Sequence, residues 1–303
     1  LALLCAVWGL GRVAMSSSFL RPGVIAVVDL AFLPALMIVL ARPLIAANNR
    51  RNFVMLVVLG ALFATNAMTH LDALGSAPGW QRRGALVAID VVVVLMLVIA
   101  GRVVPMFTRN ATGRQEIRSL PKLDVLAIGM MAVVTVVDAF MMPAPNVLAA
   151  ICGVTALLAA ARAATWGTRH TLRVPLLWIL HAGYFWIPIG LALRAAGAAV
   201  GGVYAAMSTH AITAGAIGSL TLGMMARVSL GHTGRPLTAS RPVAVAFVMI
   251  TIGAAVRVAA PLAPDHYLTS LAAAGGLWAA AFAVYALSYA KILVSPRADG
   301  RAG

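Results

Sequence analysis

The stretch YAAMSTHAITAGAIGSLTLGMMARVSLGHTGRPL, residues 204–237, decides the fold. Its first two thirds are apolar enough to cross a bilayer. Its last third is a polar loop carrying His232, Thr233, Arg235 and Pro236. Within the crossing stand His210, Thr213, Ser219 and Thr221, hydrogen-bonding groups at a depth where lipid offers no partner. Ala211, Ala214, Gly215 and Gly218 form overlapping small-xxx-small steps, which let another helix approach closely. The pattern predicts a helix inside a bundle rather than on its rim.

Outward from that segment the same signal repeats. Ten hydrophobic segments span residues 1–15, 22–45, 53–74, 84–107, 123–142, 147–165, 174–196, 203–228, 243–260 and 266–294. Hydrophobic residues make up 62% of the 303 and charged residues 10%, whereas a soluble domain carries roughly 45–50% and about 25%. Unbroken apolar runs of about 20 residues argue for helices; a membrane β-barrel alternates in segments of about ten. The expected fold is an all-α polytopic transmembrane helix bundle of about ten helices, one domain over 1–294 with a tail at 295–303. The chain opens at Leu1, without methionine and in mid-helix, which leads us to expect that an N-terminal portion is missing.

The net charge of +15 does not point to nucleic acid, because no basic stretch accompanies a soluble fold. The arginines instead sort by side. Sixteen Lys and Arg, including Arg50, Arg51, Arg162 and Arg301, fall in alternate loops and the tail, against five (Arg21, Arg82, Arg83, Arg194, Arg257) on the other side. This bias predicts a cytoplasmic C-terminus, with membrane lipid as the surrounding partner. Arg12 and Arg102, near helix ends, read as snorkelling to headgroups.

Asp29, Asp72, Asp90, Asp138 and Asp265 map to the opposite, outer side, at or within about 10 Å of helix ends for a rise of 1.5 Å per residue. Asp29, Asp90 and Asp138 are those expected inside the apolar slab, where an ionisable group is costly and functional by default. The structural alternative is an acid reaching water or pairing with Arg21, Arg82 or Arg83. His210 lies roughly 10 Å deep, so its imidazole is ligated, hydrogen-bonded or water-facing. His70 ends its segment at a similar level and is a candidate to join His210 at a metal. His181, in LLWILHAGYFWIPIG between Trp178 and Tyr184, suits a flat haem face or an aromatic belt equally. His232 is 22 residues from His210, roughly 33 Å along a straight helix, so one metal cannot take both. His232 could meet His181 or simply order its loop.

These segments resemble a known family. HAITAGAIGSLTLGMMARVSLGHTGRPL (210–237), GRVVPMFTRNA (101–111) and LHAGYFWIPIGLAL (180–193) are similar, in order and spacing, to blocks of the NnrS membrane proteins. The resemblance implies a bundle of about twelve helices, of which ten are present, that binds haem and copper in the bacterial cytoplasmic membrane. It further implies a role in nitric oxide handling and nitrosative stress, beside denitrification. The matching positions are His210, His232, Arg227 and Arg235 in the first block, Arg102, Arg109 and Asn110 in the second, and His181 in the third. It does not say which histidine meets haem and which copper.

The leading expectation is therefore a haem- and copper-binding membrane protein that takes nitric oxide as a small gaseous ligand. The rival from another class is a proton-coupled secondary transporter using Asp29, Asp90, Asp138 and His210, which inverted repeats would support; no convincing duplication is visible. An enzyme, such as a quinol-linked nitric oxide reductase, would need a site to accept electrons, and no motif for one stands out.

Overall fold

Pro34 sets the first irregularity of the structure, a computed structural model describing residues 2–49 and 52–300. Its nitrogen has no proton to give the carbonyl four residues back, and the helix divides there into Pro22–Leu30 and Phe32–Ala46 around Ala31. The chain runs as α1 (Ala2–Ser16), α2 (Pro22–Ala46), α3 (Val54–Ala73), α4 (Trp80–Thr112), α5 (Pro121–Phe140), α6 (Pro145–Thr165), α7 (Pro175–Val200), α8 (Tyr204–His232), α9 (Arg241–Leu262) and α10 (Pro264–Val294). The elements are all helical among the described residues, and α2–α10 are nine helices long and apolar enough to cross a membrane. The ten expected segments each find a helix, and α1 is the short one. Leu1, at which the chain opens, and Arg50, Arg51 and Arg301 of the charge sorting lie outside the described residues.

Two compact units arise from this chain. One comprises residues 1–95 and 131–142, the other 96–130 and 143–303. In the first, α1 packs on α2 and α2 on α3, and Val58, Val87 and Val91 form a small apolar core with Leu62 and Ala139 around it.

The second unit is built around α7 and α8. Buried residues of α7 (Leu176, Leu177, Ile179, Leu180, His181, Gly183, Tyr184, Ile187) cover nearly its full circumference, which only a central helix can do. Helix α6 packs on α7, α7 on α8, and α9 on α10. The small residues allow these approaches. A Cβ at Gly183 would stand 3.0 Å from Leu220, and one at Gly223 2.9 Å from Ile179. The tail is tied down as well: Arg297 donates to the carbonyl of His232 at 3.0 Å, and the amide of Ala298 donates to that of Thr233 at 2.9 Å.

Candidate functional site

Helix α8 changes its winding where the histidine sits. After His210 the residues Ala211–Ile217 form a π-helix, a rare form that recurs at functional sites. Gly215 explains part of it: a Cβ there would overlap the indole of Trp186, so only glycine lets α7 lie against this wide turn. Beside it, His210, Thr213, Gly253, Arg257, Gly275 and Trp278 line a cavity of about 320 Å³ bounded by α8, α9 and α10. The cavity walls offer an imidazole, a guanidinium, a hydroxyl and an indole, and no carboxylate. The Thr213 hydroxyl donates to the Thr209 carbonyl at 2.8 Å, and Arg257 Nη1 donates to the Tyr267 hydroxyl at 3.4 Å. The half-buried His210 ring makes no hydrogen bond to a described residue, so both of its nitrogens are uncommitted.

His181 is held differently. It is buried, with Nε2 2.9 Å from the Thr108 hydroxyl and Nδ1 2.9 Å from the Thr168 hydroxyl. Thr108 also donates to the Val104 carbonyl at 2.8 Å. Its single proton is then spent, so Nε2 carries the ring proton and Nδ1 accepts from Thr168. To reach a metal, His181 would have to release one threonine. His232 ends α8, exposed to solvent.

In the first unit, His70 Nε2 lies 3.1 Å from Asp29 Oδ2, which also accepts from Asn66 Nδ2 at 2.8 Å. Arg12 closes the cluster with an ion pair to Asp29 Oδ1. This corrects one reading and adds to another: Asp29 is paired with Arg12 rather than with Arg21, Arg82 or Arg83, and Arg12, though exposed, is engaged by that acid. An imidazole whose one nitrogen faces a carboxylate presents its other nitrogen in a fixed direction, the arrangement common to metal-ligating histidines. Nδ1 of His70 has no hydrogen-bond partner among the described residues. Asp90 is fully buried and Asp138 half-buried. Among the described residues no three of His, Cys, Asp and Glu converge on one point.

The arginines of the motif blocks divide. Arg227 is buried, its guanidinium 3.9 Å from the centre of the Phe107 ring, a cation–π stack. Arg102 and Asn110 are exposed, Arg109 is half-buried, and Arg235 donates to the Thr233 carbonyl at 3.3 Å. Arg162, read above as a loop cation, is among the most buried side chains of the chain. It bonds Asp124 through Nη2 at 2.7 Å and Nε at 2.8 Å, donates to the Leu97 carbonyl at 3.0 Å, and lies over Trp166. Sequence reasoning missed Asp124, Thr108, Thr168 and Asn66. For Thr108 a signal existed: it falls seven residues after Gly101, on the same helix face within the quoted GRVVPMFTRNA block.

Nine apolar spans among the described residues, with ionisable groups buried in them, define a multi-pass membrane protein. Residues 1–297 match the NnrS protein family. The chain belongs to that family. No curated protein and no solved structure matches it.

Proposed function

We propose that this NnrS-family protein binds haem and copper in the bacterial cytoplasmic membrane and serves the response to nitric oxide. The observation that carries the reading is the uncommitted imidazole of His210 at a cavity inside the spans. His70, with one nitrogen on Asp29, is the second candidate ligand. Neutral imidazole suits haem iron and copper alike, so the donors present fit either group. When bound, such a metal supplies an open coordination position for a diatomic ligand. The chain's own contribution is separate. The apolar spans exclude water and anions, while an uncharged gas crosses lipid freely, and Asp29 orients the His70 ring.

The basic bias of the loops supports a cytoplasmic C-terminus. Two of its sixteen cations, Arg162 and Arg227, are buried, and the remaining bias still favours that side.

The test is an optical spectrum with metal analysis on purified protein. A Soret band and stoichiometric copper are expected, with the band or the metal content reduced in His210→Ala and kept in His232→Ala. Protein that binds neither group, or binds both undiminished in His210→Ala and His70→Ala, would refute the proposal. Reporter fusions to the C-terminus check the orientation.

A further inference from the structure

A cavity of about 650 Å³ lies where α6 ends and the 113–120 and 166–174 loops meet, with Thr168, the partner of His181 Nδ1, in its wall. Its walls have two characters. Ala160, Ala164 and Phe185 form an apolar side, and Arg169, His170 and Glu116 form a polar one. Ala160 and Ala164 are exposed on the flank of α6, the surface that a membrane covers with acyl chains. The polar residues stand just past the end of the span, at the level of headgroups.

The polar wall is held in place by the two loops that form it. The Thr165 hydroxyl donates to the Arg118 carbonyl at 2.7 Å, and the Arg118 amide returns to the Thr165 carbonyl at 3.3 Å. Gly167 has φ +71°, and a Cβ there would stand 2.6 Å from Ile117 Cδ1, so the two loops meet at a residue that must be glycine. Charges are arranged unequally. Glu116 is paired with Arg114 at 3.1 Å. Arg169 gives its Nε proton to His170 Nε2 at 3.2 Å and keeps its terminal nitrogens without a described partner.

We infer that this cavity is a binding site for a net-anionic glycerophospholipid, with its phosphodiester on Arg169 and one acyl chain against Ala160, Ala164 and Phe185. A basic pocket at the membrane surface beside an apolar groove is the recognition chemistry that such headgroups use. Glu116 is engaged by Arg114, which itself lies outside the lining, so Arg169 is the lining cation whose terminal nitrogens face no described carboxylate, and a monoanion suits it. The neighbouring exposed Arg118 and Arg173 lie outside the cavity lining.

Native mass spectrometry after reconstitution into nanodiscs of equimolar phosphatidylglycerol and phosphatidylcholine tests the inference. Retained phosphatidylglycerol should exceed phosphatidylcholine about fivefold, the effect of one cation near anionic headgroups. That preference should vanish in Arg169→Gln, and Ala164→Trp, which fills the groove, should lower retention of both lipids. Arg173→Gln, exposed and outside the cavity, should leave the preference intact. Equal retention of the two lipids by the unmodified protein overturns the site, as does an unchanged preference in Arg169→Gln. An equal loss in Arg173→Gln would assign the effect to diffuse surface charge. Displacement of the lipid by millimolar inorganic phosphate would assign the cavity to a soluble anion instead.

Discussion

Arg162 passes through the space that Gly101 leaves empty: a Cβ on residue 101 would overlap its Nη2. A glycine in α4 and an arginine at the end of α6 are thereby coupled. Removing the glycine must move the guanidinium off Asp124 and the Leu97 carbonyl. Alanine ordinarily improves a helix interior over glycine by about 1 kcal/mol. Here the opposite sign is expected, because breaking a buried ion pair costs about 3–5 kcal/mol. Thermal unfolding of Gly101→Ala in detergent should show a lowered midpoint; a raised one would contradict the coupling.

Asp124 and Arg162 should also behave as a unit. Asp124→Ala leaves a buried cation alone, at a cost of about 3–5 kcal/mol. The double variant Asp124→Ala with Arg162→Met removes that cation and should be less destabilised than Asp124→Ala alone. A double-mutant cycle on unfolding free energies measures the difference. Strict additivity would mean that the pair does not act through its charges.

His181 is expected to be a fold residue first. Thr108→Val removes the partner of its Nε2, and an unsatisfied buried group costs about 1–3 kcal/mol. Stability should therefore fall in Thr108→Val while haem and copper content stay at the unmodified level. A selective loss of cofactor without loss of stability would instead make His181 a ligand.

His170 gives a pH handle outside the spans. Partial burial, then the Arg114 and Arg169 guanidinia, hold its pKa below the ordinary 6.5. The fold thus favours the neutral ring. This contribution to stability is present above pH 6.5 and is lost as pH falls from 6.5 through the lower folded value. NMR titration of the ring should place its midpoint below 6.5, and Arg114→Gln should move it up. A midpoint above 6.5 would reverse the sign of the argument.

Much of the architecture was legible because lipid imposes a strict rule on sequence. A span must be apolar for about 20 residues and must satisfy its own backbone, so the segments stood out, α8 among them. The pairings were not legible. Arg12 and Asp29 are 17 residues apart, and Asp124 and Arg162 are 38 apart; nothing local marks either pair. Arg162 reads as a loop cation because it lies next to a turn, and only the packing of α4 beside α6 draws it inward.

The same division holds for the histidines. Composition and periodicity by themselves determined a helical membrane bundle with His70, His181 and His210 inside its spans and His232 at the end of one. The tertiary structure alone decided that Thr108 and Thr168 occupy both nitrogens of His181, that Asp29 orients His70, and that His210 faces a cavity uncommitted. The physical reason is range. Hydropathy is a sum over neighbours in the chain, whereas the availability of a ring nitrogen depends on a hydroxyl or carboxylate from another helix within about 3 Å.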